Sequence, residues 1–212
     1  RPFLPYGRHY IDDNDIESVV DVLKSDFLTT GPVVEAFETK LAQVTSSAYA
    51  IAVSSGSAAL HLAALVLDLK PGDSVIVPST TFLSTANAAR YVGSKVTFAD
   101  VDPDNGLLTA ETLEKALRHA QGRARAVFPV HLNGQTVEMD KLVALPGMEN
   151  LTIVEDSCHA LGGSLTGPQG NRVKVGCNAY SRLSTFSFHP VKTIAMGEGG
   201  AITTNEFKLA ER

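Results

Sequence analysis

The stretch Tyr49–Leu67, YAIAVSSGSAALHLAALVL, decides the fold class. Residues Tyr49–Ser55 are apolar or β-prone and predict a buried strand, whereas Ser57–Leu67 repeats apolar side chains at helical spacing and predicts a helix. Only a turn of small residues separates the two. A strand that passes through a short turn into a helix is the repeating unit of a parallel sheet covered by helices.

The same alternation of strand and helix patterns continues along the chain. Six further strands are predicted at Ser74–Ser79, Lys95–Asp100, Ala124–His131, Leu151–Asp156, Leu183–Phe188 and Gly200–Asn205. Further helices are predicted at Ile16–Lys24, Val33–Val44, Ser84–Tyr91 and Ala110–Ala120. Several strands are apolar throughout, which is typical of a sheet buried on both faces. We therefore predict an α/β protein: a three-layer α/β/α sandwich with a mostly parallel, seven-stranded central sheet.

Composition narrows the function classes. The chain has 212 residues, 44% of them hydrophobic and 19% charged, which suits one sizeable domain with its own core. A net charge of −5 argues against nucleic acid and anionic membranes as partners. The chain start has no apolar signal core and no stretch is long enough to span a membrane, so we expect a cytoplasmic protein. The two cysteines lack metal-type spacing, which predicts no metal site and favours reduced thiols over a disulfide.

Ligands of such sheets bind at the carboxyl ends of the strands, so the residues just past each strand are the informative ones. Gly56 and Ser57 open a helix directly after the first strand, which suits an anion such as phosphate but also a plain serine cap. Phe82 follows the second strand and is a candidate either for stacking on a flat ligand or for the core. Asp156 ends the fifth strand, where a buried carboxylate is costly unless it is paired.

The sixth strand runs into FSFHPVKTIAMGEGG, Phe186–Gly200, which contains Lys192. An isolated lysine in a loop usually belongs to the surface, but an amine in a strand-end cleft can attack a carbonyl and form a Schiff base. A phosphate-binding helix start, an aromatic ring, an aspartate and a lysine together are what pyridoxal 5'-phosphate (PLP) requires. The sequence therefore predicts a PLP site.

Most of the chain also resembles a known family. The stretches LTTGPVVEAFE, VSSGSAALHLAAL, DSVIVPSTTFLSTANAARYVG, PVHLNGQTVEMD, VEDSCHALGG and FSFHPVKTIAMGEGGAITTN are similar to the DegT/StrS sugar-nucleotide aminotransferases, fold-type I PLP enzymes. Within that family, LTTGP, PVHLNGQ and the lysine segment are most similar to the transaminases that form UDP-4-amino-4,6-dideoxy-N-acetyl-altrosamine.

The resemblance implies a role for each matching residue. Lys192 is expected to bind the cofactor aldehyde and move protons, and Asp156 to pair with the ring nitrogen. The other expected cofactor contacts are the ring hydroxyl for His159, the ring face for Phe82, and the phosphate for Gly56, Ser57 and Ser187. The positions expected to approach the substrate are Tyr6, Thr29, Thr30 and His189.

The activity implied by the resemblance is transfer of an amino group from glutamate to a keto sugar nucleotide, such as a UDP- or other NDP-4-keto-6-deoxy sugar, in amino-sugar biosynthesis for surface glycans. It also implies a homodimer whose partner chain completes the site. Residues 1–212 are then the PLP-binding large domain with an N-terminal helical arm, and a smaller C-terminal domain lies outside this chain. Two alternatives stay open: a sugar dehydratase of the same fold, whose known members carry His in place of the lysine, and a non-catalytic nucleotide-sugar-binding or dimerisation remnant.

Overall fold

The computed structural model describes residues 2–3, 5, 7–120 and 123–212. Their central feature is a seven-stranded sheet with the order β1-β9-β8-β5-β4-β2-β3. Its strands are β1 (Tyr49–Val53), β2 (Ser74–Pro78), β3 (Lys95–Ala99), β4 (Ala124–Val127), β5 (Thr152–Asp156), β8 (Leu183–Ser187) and β9 (Gly200–Thr204). Only β9 runs antiparallel to its neighbours, β1 and β8. The prediction of a mostly parallel, seven-stranded sheet is confirmed.

The α-helices are α1 (Asp13–Lys24), α2 (Pro32–Thr45), α3 (Gly56–Val66), α4 (Leu83–Tyr91), α5 (Ala110–His119), α6 (Met139–Val143) and α7 (Phe207–Glu211). Helices α2 to α7 cover the two faces of the sheet, whereas α1 has no buried residue. Successive residues of β2 alternate between two cores, because side chains of a strand point to opposite faces. Val75 and Val77 pack with α3, α4 and α7, whereas Ile76 packs with α2, α5 and α6. This arrangement confirms the predicted three layers.

The fourth predicted strand was too long. Ala124–His131 was expected to be one strand, but β4 ends at Val127. Pro129 has no amide proton to give to a neighbouring strand; its carbonyl instead accepts the Asp156 amide proton at 2.9 Å. Val130 then forms an isolated parallel bridge with Asp156, so the chain stays beside β5 while leaving the sheet.

Two further local features differ from the sequence pattern. Helix α5 begins with a complete capping box in which Thr112 replaces the usual acid, because its hydroxyl accepts the Thr109 amide proton. A small antiparallel hairpin, β6 (Ser164–Thr166) with β7 (Arg172–Lys174), was not predicted. Each of its strands has three residues, too short for a periodic pattern to show.

Six strands of the sheet point the same way, so the segments that follow β1, β2, β4, β5 and β8 leave the sheet at one edge. Because β9 is reversed, its first residue, Gly200, also lies at that edge, opposite Val53 and Ser187. The residues expected to carry chemistry are thereby brought together. None of the helices in the described part of the chain is long and apolar enough to cross a membrane.

Candidate active site

A cavity of about 610 Å³ opens at this edge of the sheet. Eight of the sequence-predicted site residues line it: Gly56, Ser57, Phe82, Asp156, His159, Ser187, His189 and Lys192. They come from four separate strand ends and meet only in the folded chain. We call this space the strand-end cavity.

Gly56, Ser57 and Ser187 form what we call the anion cradle. Helix α3 begins at Gly56, and Ser55 caps it by accepting the Ala58 amide proton at 3.1 Å. A Cβ on Gly56 would lie 2.6 Å from the Ser187 Cβ, so only glycine lets the helix approach the end of β8 this closely. The free amides and positive dipole end of α3, together with two serine hydroxyls, suit a phosphate group.

Asp156 is buried at the end of β5, with 3% of its surface exposed. One carboxylate oxygen, Oδ2, accepts a proton from the Thr85 hydroxyl at 2.6 Å, and the other, Oδ1, accepts the Cys158 amide proton at 3.2 Å. A carboxylate has about four acceptor positions, and these two bonds occupy two of them. Asp156 thus presents a negative, partly satisfied acceptor to the cavity.

Lys192 lies in the turn after β8, half-buried, with its Nζ 2.7 Å from His159 Nε2. The other ring nitrogen of His159, Nδ1, accepts the Asn133 amide proton at 3.2 Å. Burial, and to a lesser degree the positive charge of the neighbouring Lys192, lowers the pKa of His159, which favours the neutral imidazole.

The structure places only some of the predicted ring-stacking and substrate-binding residues on the cavity wall. Phe82 stands at the start of α4 on the cavity wall and is 68% exposed, so the core-packing alternative for it is wrong. His189 lines the same cavity. Thr29 and Thr30 are exposed and are not among the described residues that line the cavity, so their substrate role stays a prediction. Tyr6 lies outside the described residues.

Sequence reasoning missed Thr85 and Ser84, both in the first turn of α4. Thr85 is fully buried and bonded to Asp156, and the Ser84 hydroxyl is 2.6 Å from that of Ser57 in the anion cradle. The sequence pattern placed both residues in a predicted helix, Ser84–Tyr91, but gave neither of them a role in the site. Because helices α3 and α4 pack side by side, their first turns converge on the cavity, and that packing is not visible in a local pattern.

On the face of β5 opposite to Asp156 lies a second buried polar group. Glu155 and His131 are 2% and 0% exposed, and His131 Nε2 is 2.8 Å from the Glu155 Oε2. His131 Nδ1 accepts the Val137 amide proton, so its Nε2 proton is donated to the carboxylate, which also accepts from Ser181. His131 is thus a satisfied core histidine, and Glu155 points away from Asp156 because consecutive strand residues face opposite sides.

Fold and site together define an α/β protein with a lysine, a buried aspartate and an anion cradle at the carboxyl edge of its sheet. Residues 9–212 match the model of the DegT/DnrJ/EryC1/StrS aminotransferase family. The chain belongs to this family.

Comparison with individual relatives supports this family assignment. The chain is 37% identical over 211 residues to the UDP-4-amino-4-deoxy-L-arabinose--oxoglutarate aminotransferase of Shewanella sediminis, covering 99% of this chain and 51% of that protein. It is similar to the solved aminotransferase of Psychrobacter cryohalolentis, with a TM-score of 0.86, 31% identity and coverage of 99% and 51%. It is also similar to Bacillus subtilis NtdA, solved with bound cofactor PMP, with a TM-score of 0.83, 31% identity and coverage of 99% and 46%. The chain thus spans about half the length of the relatives it matches.

Proposed function

We propose that this chain binds PLP and supplies the cofactor-binding part of the active site of an aminotransferase. The enzyme moves an amino group from glutamate to a keto sugar nucleotide. The observation that carries the proposal is that Lys192, Asp156 and the N-terminus of α3 open into one cavity. Membership of an aminotransferase family and the PMP bound to NtdA support it.

The residues of the cavity fit this cofactor in kind. The anion cradle offers amides and hydroxyls to a phosphate, Asp156 offers a buried carboxylate to a ring N–H, and Lys192 offers an amine to an aldehyde. When bound, PLP supplies an electron sink that stabilises negative charge on the substrate carbon. A deep cavity of mixed polar and apolar walls is also typical of cofactor sites.

The chain's own residues then divide the work. Asp156 holds a proton on the ring nitrogen, because a buried carboxylate is stabilised by a cation beside it. Lys192 Nζ moves protons at the reacting carbon, since its amine ends inside the cavity. His159 orients that amine through its Nε2, 2.7 Å away, and is itself held by the Asn133 amide. Phe82 stands on the cavity wall, where its ring can cover one face of the cofactor.

For the substrate, we propose an NDP-4-keto sugar, with UDP as the nucleotide and C4 as the carbon that receives the amine. The Shewanella relative is named for a 4-amino sugar joined to UDP and for oxoglutarate, the keto acid that glutamate leaves after giving up its amine. His189 and Glu198, which also line the cavity, supply polar groups for the sugar.

We also propose that the working form is a homodimer and that a smaller C-terminal domain completes the enzyme beyond residues 1–212. Large apolar side chains beside the cavity are exposed: Phe82 by 68%, Leu83 by 67%, Ile194 by 50% and Met196 by 49%. Exposed apolar groups of this size favour a covering protein surface. Sedimentation at micromolar concentration tests this, and a monomer for a chain of the relatives' full length would contradict it.

Reduction with borohydride tests the chemistry. The protein is mixed with PLP, reduced, digested and mapped by mass spectrometry, and we expect a phosphopyridoxyl group on Lys192. Lys192→Ala should carry no label there, whereas Lys174→Ala, on the β6–β7 hairpin, should be labelled like the parent. A parent protein labelled only on other lysines would overturn the proposal. Conversion of added glutamate to 2-oxoglutarate then separates amino transfer from dehydration.

A further inference from the structure

We propose that Thr85 is a positioning residue for the cofactor: it holds the Asp156 carboxylate in the orientation that receives the ring nitrogen. The inference rests on the proposed PLP function and deepens it. It starts from a contact between residues 71 positions apart in the chain, in which the Thr85 hydroxyl donates to Asp156 Oδ2 at 2.6 Å.

The Thr85 hydroxyl is the middle of a short relay. Thr85 is fully buried in the first turn of α4, and its Oγ1 is 2.8 Å from the Thr81 Oγ1. A hydroxyl has one proton, and Thr85 gives its own to Asp156, so Thr81 is the donor to Thr85. Chains of hydrogen bonds strengthen one another inside a protein. Two hydroxyls in series therefore end on one oxygen of the carboxylate.

Both oxygens of the Asp156 carboxylate accept a hydrogen bond. Oδ2 takes the Thr85 hydroxyl proton, and Oδ1 takes the Cys158 amide proton at 3.2 Å. Two bonds from different directions fix the rotation of the carboxylate about its Cβ–Cγ bond. One of them, the Cys158 amide, belongs to the same strand-end turn as Asp156 and is always present. Only the Thr85 bond depends on a side chain, so it is the one that substitution can remove.

Thr85→Val is the direct test, because valine keeps the shape of threonine and removes only the hydroxyl. Apo Thr85→Val is expected to melt roughly 3–12 °C below the parent, because the buried Asp156 carboxylate loses one hydrogen bond. Its dissociation constant for PLP should rise about 10-fold, because the carboxylate is no longer held in the orientation that the ring nitrogen needs. Thr85→Ser keeps the hydroxyl and should bind within about 3-fold of the parent. Thr203→Val, which removes an equally buried hydroxyl bond to the Gly176 carbonyl, should leave PLP binding unchanged.

A cofactor analogue separates positioning from packing. In the carbocyclic analogue of pyridoxal phosphate, the ring nitrogen is replaced by C–H, so nothing remains for Asp156 to hold. If Thr85 acts through Asp156, Thr85→Val should weaken PLP binding about 10-fold but change binding of the analogue by less than about 2-fold. If Thr85 only fills space, both ligands should lose equally, and that result overturns the inference.

The remaining outcomes are also decisive. Equal PLP binding by Thr85→Val and the parent overturns the inference and leaves the proposed function standing. A parent that binds no PLP overturns both. If Thr85→Val does not fold, Thr85→Cys replaces it: the thiol is a weak donor of similar size, and the same selective loss for PLP over the carbocyclic analogue is expected.

Discussion

Two neighbouring glycines give a sharp test of how the site is built. Gly200 opens β9 and lies between the ends of β1 and β8, opposite Val53 and Ser187. A Cβ placed on Gly200 would lie 2.3 Å from both the carbonyl carbon and the oxygen of Ser55, and 2.7 Å from the Gly56 nitrogen. These are backbone atoms at the start of α3, so no side-chain rotation relieves the clash. Gly200→Ala must push α3 away from β9.

The expected loss of stability follows from the kind of atom that the added Cβ would meet. Overpacking costs about 1–3 kcal/mol, and a rigid backbone neighbour places Gly200→Ala in the upper part, at about 2–3 kcal/mol. Since a chain of this size loses roughly 2–4 °C of melting temperature per kcal/mol, Tm should fall by roughly 4–12 °C. PLP binding should also weaken by about 10-fold or more, because the α3 amides move relative to Ser187 in the anion cradle.

Gly199→Ala is the matched control. A Cβ on Gly199 would meet Phe188 at 3.5 Å and the Met196 sulfur at 3.7 Å, which is ordinary van der Waals contact. Its free energy of unfolding should change by no more than about 1 kcal/mol. Calorimetry of both apo variants and PLP titration are the assays. If Gly200→Ala melts and binds PLP as Gly199→Ala does, the close approach of β9 to α3 is not what shapes the cradle.

Three further predictions concern the buried charges and thiols. Asp156→Asn should lower turnover on the order of 100-fold, because the ring nitrogen loses its charged partner; steady-state kinetics with glutamate measure this, and a parent-like rate would contradict the assignment. His131→Ala should lower the free energy of unfolding by about 3–5 kcal/mol, because it leaves the buried Glu155 carboxylate without its main donor. Urea denaturation measures this loss. Glu155→Gln keeps an acceptor for His131 and should therefore lower the free energy of unfolding by less. Burial, and to a lesser degree Asp156, raises the pKa of the Cys158 thiol well above its ordinary value. Because only the thiolate reacts, iodoacetamide at pH 8 should alkylate Cys158 at least about 10-fold more slowly than a free thiol. Alkylation at the free-thiol rate would contradict the burial of this side chain.

Much of the fold was predictable because its signals are local. In Tyr49–Leu67 a continuous apolar run, a turn of small residues and a helical repeat follow one another, and β1 and α3 lie where that pattern places them. Parallel strands share one edge for their carboxyl ends, so strand-end residues predict a common site even when they are far apart in the chain. That rule is why Ser57, Phe82, Asp156 and Lys192 were found together.

The sequence did not predict which groups pair with the buried charged side chains. The pair Glu155–Asp156 shows why. Both carboxylates are almost fully buried, and alternation along β5 predicts that they face opposite sides, but not which side holds a cavity. The structure assigns Asp156 to the α3–α4 side, where the first turns of two helices leave room for a ligand. It assigns Glu155 to the other side, where His131 closes off the charge. A buried acid in a sequence therefore predicts that a partner exists. Whether that partner is a residue such as His131 or a bound cofactor depends on how helices pack over the strand.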